Sequence, residues 1–117
     1  MDFPQVVMAH IAWKKRLEKY LSGDRSENLN PDFICQDNQC VLGKWIYGEG
    51  AAFQHHEEFS QVKAEHATFH RLAAQVVVQC NAGDLEAARR LLETDYSRIS
   101  ERVKRLIVRL ARRIDGK

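Results

Sequence analysis

The chain has 117 residues, enough for one domain with a single hydrophobic core but too few for two. Its composition is 44% hydrophobic and 29% charged with a net charge of +2, which is ordinary for a globular protein and indicates no class of partner. No apolar run approaches the roughly 18 to 20 residues of a membrane span, no signal-peptide pattern occurs, and three cysteines do not suit a secreted disulfide scaffold. We therefore expect a cytoplasmic protein.

The first predicted element is a helix from about Asp2 to Leu21. Asp2 is a suitable N-cap, and apolar residues follow at a spacing of three and four, with His10 inside their stripe. Ser22-Gly23 ends this helix, and the polar segment 23–39 predicts a long loop. One histidine is therefore expected on the core-facing side of the first helix.

Two more helices follow in the middle of the chain. A short helix is predicted to start at Cys40, capped by Asp37 or Asn38, and to end around residues 48–50. The longest helix is predicted over residues 54–80, where one apolar face again contains histidines. A helical core is therefore expected to carry several imidazoles.

The final predicted helix begins after the break at 81–83, with Asp84 as its cap, and continues to about residue 114. The periodicity therefore predicts an all-α fold, an antiparallel helical bundle of three long helices plus one or two short ones. Residues 1–117 are expected to form this single domain.

The last helix is strongly basic. Of the chain's 18 cations and 16 anions, seven cations and one anion lie in its final segment, namely Arg102, Lys104, Arg105, Arg109, Arg112, Arg113 and Lys117 against Asp115. We interpret them as a solvated helix face, with cations near a C-terminus favoured by the helix dipole. Contact with an acidic partner, a nucleic acid or a membrane surface is the alternative, and no nucleic acid is expected.

The histidines indicate a metal site. His66 and His70 are four residues apart, so they stand on one helix face about 6 Å from each other and can bind one metal together. His10 offers a third imidazole from another helix, and a thiolate from Cys40 would complete a tetrahedral site of the kind that Zn²⁺ prefers. Segment 66–70 lacks the glutamate of zinc proteases, so no enzymatic activity is expected.

The residues alone favour Cys40 over the other cysteines only modestly. Cys35 lies in the polar loop, and Cys80 lies about 15 Å along the helix from His70. A disulfide or redox pair between Cys35 and Cys40 is an alternative that would compete with zinc.

A family resemblance decides which cysteine is the fourth ligand. The segment 40–45, Cys-Val-Leu-Gly-Lys-Trp, resembles the Cys-x-Leu-Gly-x-Trp signature of the bacterial chemoreceptor zinc-binding (CZB) family. His10 and its neighbours resemble the first-helix histidine segment of that family, and His66-x-x-x-His70 its closing pair. There are 29 residues between His10 and Cys40, and 25 between Cys40 and His66. One departure is Ala12, where some descriptions of the family place a large apolar residue.

The resemblance implies one Zn²⁺ held by His10, Cys40, His66 and His70, with Cys40 as a redox-reactive candidate. It also implies a sensory domain that transmits zinc or oxidant state to a signalling partner of the chemotaxis or cyclic-di-GMP type. A homodimer is expected as well. The chain is either a stand-alone member or an excised domain, and Met1 favours the first.

Three residues are predicted to pack around the site. Gly43 would allow another part of the chain to approach closely, and Trp13 and Trp45 are predicted to be core anchors. His55 and His56, near the start of a helix, are predicted to face solvent.

Three other functions remain as alternatives. A purely structural zinc-stabilised interaction module needs the same ligands. A hemerythrin-like di-iron bundle is disfavoured because the last helix has no histidine. A zinc hydrolase is disfavoured because it needs an open coordination position and a general base.

Overall fold

The chain folds into a bundle of helices, with no β-strand among residues 1–115. These residues are described by a computed structural model. The α-helices are α1 (Phe3–Leu21), α2 (Pro31–Ile34), α3 (Val41–Ile46), α4 (Glu57–Asn81), α5 (Leu85–Leu91) and α6 (Ser97–Asp115). A 3₁₀ helix, Glu49–Phe53, precedes α4, and a π-helical turn, Leu92–Tyr96, joins α5 to α6. The predicted all-α fold is confirmed. Residues 116–117, the end of the predicted domain and of the basic segment, lie outside the described residues.

Two of the predicted helix starts are confirmed by their caps. The Asp2 carboxylate accepts a hydrogen bond from the backbone N–H of Gln5 at 3.1 Å. The Asp84 carboxylate accepts one from Ala87 at 3.0 Å. In each case an acidic side chain satisfies an amide that the first turn leaves without a partner.

The predicted cap of α3 was wrong. Cys40 itself is the N-cap, rather than Asp37 or Asn38: its backbone is extended, and its Sγ accepts the N–H of Gly43 at 3.3 Å. Aspartate and asparagine are the usual caps because they offer an oxygen acceptor, but a cysteine sulfur is a weak acceptor that can fill the same position. The capping hydrogen bond at the start of α3 therefore fixes the direction in which the Cys40 thiol points.

The segment predicted as a continuous loop contains a helix. In α2, the side chain of Asn30 accepts the N–H of Asp32 at 2.9 Å, and Pro31 occupies the first helical position. Ile34 at the end of this helix is only 5% exposed. A single turn of this kind is stabilised by its cap and by burial of its last residue, since its length alone could not support it.

The three long helices do not all run in the same direction. The hydroxyl of Tyr20, near the end of α1, donates to Asn81 at the end of α4 at 2.5 Å, so α1 and α4 run parallel. Arg102 in α6 pairs with Glu65 in α4, and Arg113 pairs with Glu58, so α6 runs antiparallel to α4. The parallel pair is possible because the segment 22–56 returns the chain to its starting end.

The core lies between α1, α4 and α6. Its fully buried side chains include Leu17, Phe69, Tyr96 and Leu110, each 0% exposed. Burying each of the leucine and phenylalanine side chains contributes about 1.5 to 3 kcal/mol. The ring of Phe69 lies 5.0 Å from that of His10, so the apolar core borders the histidine cluster directly.

Candidate metal centre

The three predicted histidines and the predicted cysteine meet at one point in the bundle. His66 and His70 lie on the buried face of α4, with their Nε2 atoms 3.0 Å apart. Cys40 Sγ lies 3.2 Å from His66 Nε2, and His10 reaches in from α1, its ring 5.2 Å from that of His66. One ligand atom from each of the four lies within 4.8 Å of all the others.

This spacing fits a tetrahedral metal. Zinc with its usual bond lengths to nitrogen and sulfur requires ligand atoms about 3.3 to 3.6 Å apart. The Cys40–His66 and His66–His70 distances, 3.2 and 3.0 Å, are close to those values. Only small side-chain shifts are therefore needed to place the four donors around one ion.

Backbone carbonyls fix the orientation of two of the imidazoles. Nδ1 of His10 is 2.8 Å from the carbonyl oxygen of Val6, and Nδ1 of His70 is 2.8 Å from that of Ile34. Because a carbonyl oxygen can only accept, both Nδ1 atoms carry the proton and both Nε2 atoms present a lone pair to the centre. This is the outer-shell arrangement by which proteins orient metal-binding histidines.

His66 is held differently. Its Nδ1 is buried and has no hydrogen-bond partner within residues 1–115. The imidazole is instead enclosed by its neighbours, with 0% of the residue exposed. The donor at the middle of the cluster is therefore positioned by packing and by the contacts of its Nε2 with Cys40 and His70, without a backbone carbonyl on its Nδ1.

The metal-free cluster strongly disfavours positive charge on its imidazoles. Burial, together with the neighbouring His70 and His10, lowers the pKa of His66 to about 2. Burial also lowers the pKa of His10 and of His70 below the ordinary histidine value, against the raising effect of their carbonyl partners. All three imidazoles are therefore neutral near pH 7, the form that binds metal.

The pKa of the Cys40 thiol is shifted in the opposite direction, upward. Burial raises its pKa above the ordinary cysteine value, although the N–H of Gly43 favours the thiolate. Without a cation nearby this group is a protonated thiol. A bound divalent cation would favour the thiolate, because a coordinating thiol gives up its proton.

The predicted close approach at Gly43 is present. A β-carbon on residue 43 would lie 1.7 Å from the carbonyl oxygen of Asp37. The turn before α3 therefore packs directly on the helix, and this contact holds Cys40 in place between them. The sequence indicated a close approach here but not its partner.

The two tryptophans near the site are only partly buried. Trp45 packs edge-on against Phe3 at 5.5 Å, and Trp13 carries the guanidinium of Arg16 over its ring at 3.7 Å. Both tryptophans thus pack against the core from its margin.

The prediction that both His55 and His56 face solvent was half right. His55 is exposed, whereas His56 is half-buried and stacks on Phe53. The 3₁₀ helix that contains Phe53, which was not predicted, provides this contact.

A cleft leads from the surface to the metal ligands. It has a volume of about 440 Å³, and Cys40 and His70 form part of its wall. Phe33, 57% exposed, lies at the cleft, and Arg16 in its wall is ion-paired with Glu27. Sequence reasoning missed this feature, because segment 23–39 was predicted to be a polar loop without structure.

The fold and the site together define a helical metal-binding domain with a closed set of four protein ligands. The family model of the chemoreceptor zinc-binding domain matches residues 10–77, which contain His10, Cys40, His66 and His70. The chain therefore belongs to this zinc-binding family, and the predicted resemblance and cofactor are confirmed. No curated protein and no solved structure matches the chain.

Among residues 1–115, no helix combines the length and the apolar content that crossing a membrane requires.

Proposed function

We propose that this chain is a zinc-responsive regulatory domain in which Nε2 of His10, His66 and His70 and Sγ of Cys40 hold one Zn²⁺. The observation that supports this most directly is the convergence of four donors from three helices within 4.8 Å. Two of the imidazoles already have the tautomer that binding requires. Zinc, when bound, supplies the positive charge that favours the thiolate.

The four ligands couple the site to the packing of the bundle. His10 belongs to α1, Cys40 caps α3, and His66 and His70 belong to α4. Holding these residues together ties α3 and the turn before it to the two parallel helices. Without the ion, the Cys40 sulfur is held by hydrogen-bond contacts to His66 and Gly43 and by packing against the core, so α3 would move more easily. A signalling partner would respond to that difference.

Oxidation of Cys40 is a second signal that would shift the equilibrium between the zinc-bound and the zinc-free states. Its thiolate would take one oxygen atom from hydrogen peroxide, giving a sulfenic acid and releasing hydroxide. A sulfenic acid is a weaker ligand than a thiolate, so zinc affinity would fall. The cleft supports this proposal because Cys40 forms part of its wall, where a small oxidant would approach the residue.

We propose a sensory rather than a catalytic or purely structural role. A closed set of four protein ligands with no glutamate in segment 66–70 does not suit hydrolysis. The cleft that reaches Cys40 and His70 favours reversible exchange over a permanent structural ion. The signalling partner would be a chemoreceptor, a cyclase or a similar protein in the cytoplasm.

A homodimer is the proposed assembly. An apolar groove between α1 and α6 carries exposed side chains, including Met8 at 64% and Val108 at 42%. A second copy would cover them. The molar mass in solution, measured by light scattering, tests this directly: a monomeric mass at high micromolar concentration would contradict it.

The experiment that tests the zinc proposal is metal content per chain by mass spectrometry, on protein purified without added metal. We expect about one zinc per chain, with a large loss in Cys40→Ser and in His70→Ala. Cys35→Ser and His55→Ala are matched controls, because both residues are exposed and lie outside the cluster. Iron, or zinc that stays unchanged in the ligand variants, would contradict the assignment.

A further inference from the structure

The exposed face of α6 carries a stripe of arginines that the zinc site does not explain. Its members alternate at spacings of four and three and are all exposed: Arg98, Arg102, Arg105, Arg109 and Arg112. This spacing places them within about 80° of arc along about 21 Å of helix. The stripe lies outside residues 10–77, so membership of the zinc-binding family does not account for it.

Helix α4 neutralises only part of this charge. Glu65 Oε2 lies 3.4 Å from Nε of Arg102, whereas Glu58 Oε1 lies 3.3 Å from Nε of Arg113, which is next to the stripe and not one of its members. Both are charge pairs without hydrogen-bond alignment. Between the two glutamates, at spacings of three and four on the same helix, stands Gln61. Gln61 therefore places a neutral amide between the two glutamates on this face of α4, where a third carboxylate would have neutralised more of the arginines.

A polar pocket lies at this interruption. It has a volume of about 160 Å³ and is lined by Gln61, Arg102, Arg105, Leu106 and Arg109. Within the part of the chain that the structure describes, no carboxylate forms an ion pair with Arg105 or Arg109, and Arg102 shares its charge with Glu65. The pocket thus has three guanidinium groups, of which only Arg102 is paired with a carboxylate, that of Glu65 outside the lining, and this leaves an excess of positive charge.

We propose that this pocket binds the phosphate group of a phosphorylated small molecule. A phosphate dianion balances two uncompensated arginines, and the forked guanidinium groups match its oxygens in paired hydrogen bonds. The amide of Gln61 adds a neutral donor at the same place.

The surroundings favour a small ligand over a macromolecule. Val103 and Leu110 of α6 are 0% exposed, and Val108, which is 42% exposed, lines the groove beside α1 rather than this pocket, so the arginine stripe lacks the apolar surface that a membrane would require. Glu58 and Glu65 border the stripe along α4 and would repel the extended phosphate backbone of a nucleic acid. The pocket beside the neutral Gln61, at about 160 Å³, has room for a single phosphate group.

Calorimetric titration of the zinc-loaded protein at low ionic strength tests the proposal, with inorganic phosphate and adenosine monophosphate as probes. We expect one phosphate group per chain, with a Kd of about 1 mM or tighter. The double variant R105Q/R109Q should bind at least tenfold more weakly. Arg98→Gln is the matched control, because it removes an arginine of the same stripe that does not line the pocket, and should bind as the parent does.

Gln61→Glu provides the second test. It places a carboxylate in the pocket, so phosphate binding should be lost while the helical circular dichroism and zinc content stay unchanged. If both probes lose affinity in both pocket variants, the phosphate group itself is what the pocket recognises. The proposal is overturned if neither probe binds, or if binding persists in R105Q/R109Q and Gln61→Glu.

Discussion

The carbonyl oxygen of Asp37 occupies the space that a side chain on residue 43 would need, since a β-carbon on Gly43 would lie 1.7 Å from it. Gly43→Ala should therefore destabilise the fold by at least about 3 kcal/mol, because a backbone segment must move. Cys40 caps the same helix, so zinc content should fall as well. Chemical denaturation and metal analysis measure the two effects.

A matched control for that variant is Gly23→Ala. Gly23 has a positive φ of 102° but no atom within 4 Å of its would-be β-carbon. This change should cost only about 1 to 2 kcal/mol of backbone strain and should leave the zinc content unchanged. If both variants kept full zinc content, the contact between Asp37 and Gly43 would not be what positions the thiol.

The stability of the metal-free protein should decrease in acid. The folded protein lowers the pKa of His10, His66 and His70, so the unfolded chain binds protons more readily below its histidine pKa of about 6.5. Stability is thus fully present above about pH 6.5 and is lost below it, by up to about 1.4 kcal/mol per pH unit for each histidine. Denaturant titrations between about pH 5 and pH 8 measure this slope.

Bound zinc should shift the loss of stability to lower pH, because protons must compete with the ion for the same nitrogens. A His66→Phe variant without metal should show a shallower slope, since one buried imidazole is missing. Equal stability of the metal-free parent at pH 5 and pH 7 would show that its histidines are not buried as described.

The hydroxyl of Tyr96 is buried and has no hydrogen-bond partner among residues 1–115. Tyr96→Phe should therefore leave the free energy of unfolding unchanged or raise it by about 1 kcal/mol, because an unpaired polar group is removed. The matched control is Tyr20→Phe, whose hydroxyl donates to Asn81 at 2.5 Å and whose loss should cost about 1 kcal/mol. Similar losses in both variants would mean that the Tyr96 hydroxyl has a partner, such as a buried water.

The three cysteines should react with iodoacetamide at different rates. Cys35 is exposed and should be modified first, whereas Cys80 is buried and should be modified last. Cys40, half-buried at the cleft, should react slowly in the zinc-loaded protein and faster after chelation. Peptide mass spectrometry after timed quenching gives the three rates. Modification of Cys40 as fast as Cys35 in zinc-loaded protein would contradict the proposed ligand.

The long helices could be predicted from the sequence because their apolar residues repeat at helical spacing over many turns. The short helix α2 could not, because Asn30 and Pro31 are equally typical of a turn and its stability comes from burial of Ile34. The parallel course of α1 and α4 depends on how segment 22–56 returns, which no local pattern encodes. The π-helical turn at Leu92–Tyr96 also falls within an unbroken helical periodicity.

More of the candidate site than of its surroundings could be predicted from the sequence. His66 and His70 are paired by local spacing alone, His10 was predicted from its place on an apolar stripe, and the resemblance identified Cys40 as the fourth ligand. The carbonyl groups that orient the imidazoles were not predictable. Val6 precedes His10 by one helical turn, but Ile34 is 36 positions from His70 along the chain, so that contact exists only in the folded protein.

The hydrogen bond from His70 to the carbonyl of Ile34 makes one imidazole a shared component of two parts of the molecule. The same ring faces the cluster through Nε2 and the end of α2 through Nδ1, while Ile34 also lines the cleft. A solute that alters α2 would therefore change the affinity for zinc, and zinc would change the affinity for that solute by the same factor, since such coupling is reciprocal.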